Sequence, residues 1–84
     1  MKTYIFHTDP RHGWIAVKRA ELARLNILDK ISSCSYQKGG TAYLEEDCDY
    51  HEFIVAKEAA GEEFTCRDSF QENTPIRSYQ SFEK

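Results

Sequence analysis

The sequence lacks any long hydrophobic run. Its longest, Trp14 to Val17 and Phe53 to Ala56, fall far short of the roughly 20 apolar residues that cross a bilayer, so no membrane-spanning helix is expected. The opening Met1-Lys2-Thr3-Tyr4-Ile5-Phe6 meets His7, Asp9 and Arg11 directly afterwards, which is not the apolar stretch of a secretory signal. A cytoplasmic location is the expectation. Cysteine is scarce and unpaired in pattern: Cys34, Cys48 and Cys66 are odd in number and widely spaced, arguing against a disulfide framework and against a standard zinc ribbon. They read as reduced thiols. Basic residues are not in excess either. Eleven Lys and Arg stand against 14 Asp and Glu, a net charge of -3, and affinity for a phosphate backbone rests on clustered Lys and Arg. Direct nucleic-acid binding is therefore not expected. Internal repeats, low-complexity tracts and long linkers are missing too, and no catalytic signature stands out.

What is present is the composition of a folded domain. Forty per cent of residues are hydrophobic and 13% aromatic, unlike a disordered chain. Eighty-four residues suffice for one small core, burying about 60–65% of the unfolded chain's surface. The reading is a single domain over 1–84, with residues from about 69 to 84 less ordered because chain ends fray.

Lys2 to His7 reads as a strand. Asp9-Pro10 turns the chain, because proline fixes φ and biases the residue before it away from helix, and Gly13 is expected to close the loop at positive φ. Trp14 to Val17 re-enters as a second strand. From Lys18 the period changes: Leu22 and Leu25 are three apart among good helix formers, and Asn26 tolerates the left-handed conformation that ends helices.

Ser33 to Lys38 and Thr41 to Leu44 are strand-like runs joined by Gly39-Gly40, the pattern of a two-residue hairpin turn. A helix follows, expected to be capped by Asp47 or Asp49, with Glu52 completing a capping box. Tyr50, Phe53, Ile54, Lys57 and Ala60 fall on one arc of that helix, and the Lys57 stem is expected to lie on apolar surface while its ammonium reaches solvent or a carboxylate. Gly61 ends the helix. Phe64 to Asp68 and Ile76 to Phe82 read as two further strands. The expected fold is α+β: a mainly antiparallel sheet of four to six strands with two helices on one face, in the order ββαββαβ(β).

His7, Asp9 and His12 are the most enzyme-like group, since two imidazoles and a carboxylate suit a divalent metal or a shared proton. Such residues are also common in polar loops. His51 and the three cysteines join them as zinc ligands only if the fold gathers them. Cys48 lies near a helix start, which favours a thiolate, but Glu46, Asp47 and Asp49 oppose it by like-charge repulsion. No cofactor is indicated.

The acidic corner, Glu45, Glu46, Asp47, Asp49 and Glu52, holds more carboxylates than helix capping needs. Facing one way, they would make a negative patch able to steer onto a basic partner. Tyr36 and Arg77 are the better surface candidates for partner contact, Tyr and Arg being enriched at binding hot spots.

Trp14-Ile15-Ala16-Val17, Leu25-Asn26-Ile27, Ile31-Ser32-Ser33, Ser35-Tyr36-Gln37, Tyr43-Leu44-Glu45-Glu46-Asp47-Cys48-Asp49 and Ile76-Arg77-Ser78-Tyr79 together resemble a family of small uncharacterised proteins carried by bacteria, phages and plasmids. The likeness covers most of the chain and brings no activity, cofactor or catalytic residue with it. It implies a setting: an accessory protein of a mobile element, acting by occupying a surface on a host protein. Together with the acidic corner, this gives the expectation of a non-enzymatic protein that binds a partner, such as the basic surface of a nucleic-acid-binding host defence complex in the manner of an anti-CRISPR protein. The alternative is a small metal-dependent enzyme or metal sensor using His7, Asp9 and His12. A homodimer joined through an exposed sheet edge is a third possibility.

Overall fold

The computed structural model describes residues 1–84. Strands β1 (Lys2–Thr8) and β2 (Gly13–Lys18) form an antiparallel hairpin with Phe6 opposite Ile15 and Thr8 opposite Gly13. Asp9 builds the turn between them. Its Oδ1 accepts the N–H groups of Arg11 at 2.8 Å and His12 at 2.7 Å, the local bonding that makes Asp a turn residue. Gly13 corrects an expectation, since it is not among the residues at positive φ. Space is what requires glycine there: an added Cβ would stand 2.7 Å from Cε2 of the Phe6 ring.

Helix α1 (Arg19–Arg24) is short and ends at Asn26, whose φ is 62°. The N–H of Ile27 donates to the Leu22 carbonyl and that of Asn26 to Ala23, each at 3.0 Å, satisfying the last carbonyls in a Schellman motif. After a 3₁₀ turn at Leu28–Lys30 come β3 (Tyr36–Lys38) and β4 (Thr41–Glu45), an antiparallel hairpin closed with Lys38 opposite Thr41. Gly39 alone of its two glycines has positive φ, at 60°, as a II′ turn requires.

Helix α2 (Tyr50–Ala59) stops at Gly61 by the same device as α1, with φ at 70° and Glu62 N–H on the Lys57 carbonyl at 3.0 Å. It carries the chain to β5 (Phe64–Phe70), which pairs parallel to β1. The first three residues of the last expected strand, Ile76 to Ser78, lie instead in a 3₁₀ turn at Pro75–Ser78. Pro75 at its first position and the Thr74 hydroxyl, which accepts the Ile76 N–H, favour a turn over a strand. Only β6 (Gln80–Ser81) pairs with β3.

The result is an α+β fold with a six-stranded mixed sheet in the order β5-β1-β2-β4-β3-β6, antiparallel except for the β1–β5 pair. One apolar cluster joins Tyr4, Ile15, Val17, Ala42 and Leu44 of the sheet to Leu22 of α1, Phe53 of α2, Ile27, Ile31 and Phe82. On α2 the buried residues are Phe53 and Lys57, whereas Ala60, expected on the core side, is exposed. No helix is long and apolar enough to cross a membrane.

Side chains alternate along a strand, so Trp14, Tyr43 and Glu45 stand on the opposite side of the sheet from Ile15 and Leu44. Strands β5 and β6 are opposite edges, and the segment between them must cross the sheet. It does so on the Trp14 side. Ile76 is buried there, the Tyr79 ring lies 5.3 Å from Tyr43, and the Arg77 guanidinium lies 5.7 Å from the Trp14 ring. The C-terminal stretch, read from sequence as the less ordered part, contributes Thr74, Ile76 and Phe82 to the buried set.

Candidate functional site

Where the crossing segment meets the ends of β2 and β4, a cavity of about 250 Å³ opens, lined by His12, Trp14, Cys34, Tyr36, Glu45, Cys48 and Arg77. Each wall has its own anchor. His12 is presented by the Asp9 turn, and its Nδ1 lies 3.1 Å from Glu45 Oε2. Glu45 is opposite Trp14 in the β2–β4 register, and its Oε1 accepts the N–H of Asp47 at 2.9 Å. Tyr36 sits across from Tyr43 on β3, with its ring 6.3 Å from Trp14. Arg77 donates through Nε to Asp9 Oδ2 and through Nη2 to Oδ1 at 3.3 Å. That bidentate pair ties the crossing segment to the first hairpin and holds the Asp9 carboxyl well below the usual carboxylate range. Trp14, almost wholly buried, carries the one buried side-chain polar atom without a hydrogen-bond partner, its Nε1.

The acidic corner is divided rather than pooled. Asp49 does not cap α2 through its side chain. Its carboxylate turns inward and accepts Ser32 N–H at 3.1 Å, Ser32 Oγ at 3.0 Å and the Ser35 hydroxyl. Ser35 Oγ in turn accepts the Glu45 N–H at 3.0 Å. With Ser32 and Ser35 bonded to Asp49 and the Ser35 N–H turned back onto the Ser32 carbonyl, β3 begins only at Tyr36, three residues later than expected. Asp49 and Glu45 are thus both buried. Asp47 is exposed and stays on the His12–Glu45 side, its carboxylate near both. Glu46, also exposed, lies beside Gly13, close enough to Tyr50 to help raise that phenol's pKa. Glu52 belongs to a separate groove with Leu25, Lys30 and Val55.

The group His7, Asp9, His12 is not assembled. His7 packs against Tyr43 with ring centres 5.8 Å apart, and burial lowers its pKa. The Asp9 carboxylate is taken by Arg77 and by the turn. His12 instead joins Glu45 and Asp47, with one donor atom from each lying within 4.8 Å of the others. Of the cysteines, Cys34 and Cys48 share the cavity, while Cys66 lies elsewhere, its sulfur 3.7 Å from the Tyr50 hydroxyl. The neighbouring Cys34 thiol, burial and the Glu45 and Asp49 carboxylates push the Cys48 thiol up to about 12, so it is a poor thiolate at neutral pH. His51 is exposed on α2.

Sequence reasoning missed Ser35 and the pairing of His12 with Glu45. The His12–Glu45 pair depends on the β2–β4 register, which joins strands that are not neighbours in the chain, and the Ser35 bonds depend on how the chain returns from β4 to bring Asp49 beside the start of β3. In comparisons with family models, with curated proteins and with solved structures, the chain matched none.

Proposed function

We propose that this chain is a non-enzymatic accessory protein of a phage or other mobile element, binding a protein partner through the side of the sheet that carries Trp14. The reading takes both helices to cover the other face, leaving this one, crossed by the Pro75–Tyr79 segment, for contact. What carries it is the convergence of Tyr36 and Arg77 on one cavity, held in place over the buried Trp14 ring. Tyr and Arg are enriched at binding hot spots, and two separate elements, β3 and the Pro75–Ser78 turn, deliver them there. Asp47 sits exposed at the adjoining corner of this side and Glu46 exposed next to it on the Gly13 side, where its charge adds to the field of the same corner, and neither is tied to Lys or Arg within the chain.

With a net charge of -3, such a surface suits a basic partner, for example the nucleic-acid-binding groove of a host defence complex blocked in the manner of an anti-CRISPR protein. Glu45 and Asp49 serve the fold rather than the contact, and Glu52 lies outside it. The test is retention of partner from host-cell extract on immobilised wild type, Tyr36→Ala and Glu46→Lys proteins. Both variants are expected to lose the retained protein while keeping the wild-type circular dichroism spectrum. Equal retention by all three would remove the proposal.

A further inference from the structure

We infer that His12, Glu45 and Asp47 form a site for a first-row divalent transition metal, with Zn²⁺ as the type. One imidazole nitrogen and two carboxylate oxygens lie within 4.8 Å of one another, and His12 Nδ1 is already 3.1 Å from Glu45 Oε2. A tetrahedral zinc with bonds of about 2.0–2.1 Å holds its ligand atoms about 3.4 Å apart. The set closes around such an ion by side-chain movement alone, and exposed Asp47 is free to make it.

Charge is an independent reason. The chain has another buried glutamate for comparison. Glu21, with 9% of its side chain exposed, is surrounded by Lys2, Arg24 and Lys57. Glu45 is as deeply placed, at 10%, yet forms no ion pair with Lys or Arg; its partners are the His12 ring and one backbone N–H. Buried Asp49, four residues on, is held only by an amide, hydroxyls and a thiol. A buried carboxylate without a fixed cation is costly, and here two lie at one corner. A divalent cation on Glu45 supplies the missing charge.

Donor type selects the ion. Imidazole suits zinc and its first-row neighbours, whereas Mg²⁺ and Ca²⁺ favour all-oxygen shells. Three protein ligands leave a coordination position open. Glu46 is not among them and stays outward, so the site is compatible with the partner surface without resting on it.

The test is titration of the untagged, chelator-treated full chain with Zn²⁺ against a competing chelating dye. One Zn²⁺ per chain is expected, undisturbed by equal Mg²⁺ or Ca²⁺. His12→Ala and Asp47→Asn are each expected to weaken binding about tenfold or more, since losing even an outer-shell partner costs 10–100-fold. Asp47 is exposed, so its variant keeps the fold even if others lose it. The double variant Cys34→Ser, Cys48→Ser should bind as wild type does. No binding by wild type, unchanged binding by Asp47→Asn, or loss of binding in the cysteine variant would each overturn the assignment.

Discussion

The Lys57 ammonium meets Glu21 Oε2 at 3.1 Å although only 4% and 9% of the two side chains are exposed. Tyr4 donates its hydroxyl to the same oxygen at 2.6 Å, Glu62 takes a second Lys57 bond at 2.8 Å, and the ammonium lies 5.3 Å from the centre of the Tyr4 ring. The pair fastens α2 to β1 and α1. Burial works against the Glu21 charge, but hydrogen bonds from Tyr4, Lys57 and Lys2 outweigh it and hold the carboxyl at about 2.

Replacing Glu21 with Gln leaves Lys57 buried with half its compensation. The cost is expected to be about 3 kcal/mol in urea unfolding at pH 7, the range for breaking a buried pair from one side. Because the folded pKa lies below the unfolded one, the stabilisation is complete above about pH 4.5 and is lost as pH falls toward 2. The gap between wild type and Glu21→Gln should close over that window. A gap independent of pH would show that the charge is not what matters.

Ser35 joins three segments through one hydroxyl, donating to Asp49 and accepting from Glu45 N–H. Ser35→Ala strands a buried N–H and removes a bond to a charged group, so a loss of about 3 kcal/mol is expected from denaturant midpoints. A loss under 1 kcal/mol would mean the corner repacks around the gap.

Gly13→Ala drives a methyl group into the Phe6 ring. Overpacking of this kind costs about 1–3 kcal/mol. If space is the cause, Phe6→Leu should recover part of that loss in a double-mutant cycle measured by thermal unfolding. Simple additivity would point to backbone conformation instead.

Local chemistry was readable from sequence wherever the cause was local. Asn26 and Gly61 closed their helices and Gly39-Gly40 closed its hairpin because a left-handed or primed conformation is a property of those residues themselves. The Lys57 stem likewise lay on its helix's core side. The site was less legible, because its members come from distant segments: β2 pairs with β4 across α1 and β3, and Arg77 reaches Asp9 only because the chain crosses the sheet. Asp49 looked like a cap from its neighbours, yet the Ser32 and Ser35 donors that the fold brings near it claimed the carboxylate.

The Trp14 side of the sheet is proposed above as a contact surface. Its most direct test is quantitative retention of a single host protein on immobilised wild type compared with Tyr36→Ala and Glu46→Lys, in low and high salt. A contact surface there means a basic partner held by wild type, released as salt screens the acidic corner and lost by both variants with the fold intact. A partner held equally by all three proteins would contradict it.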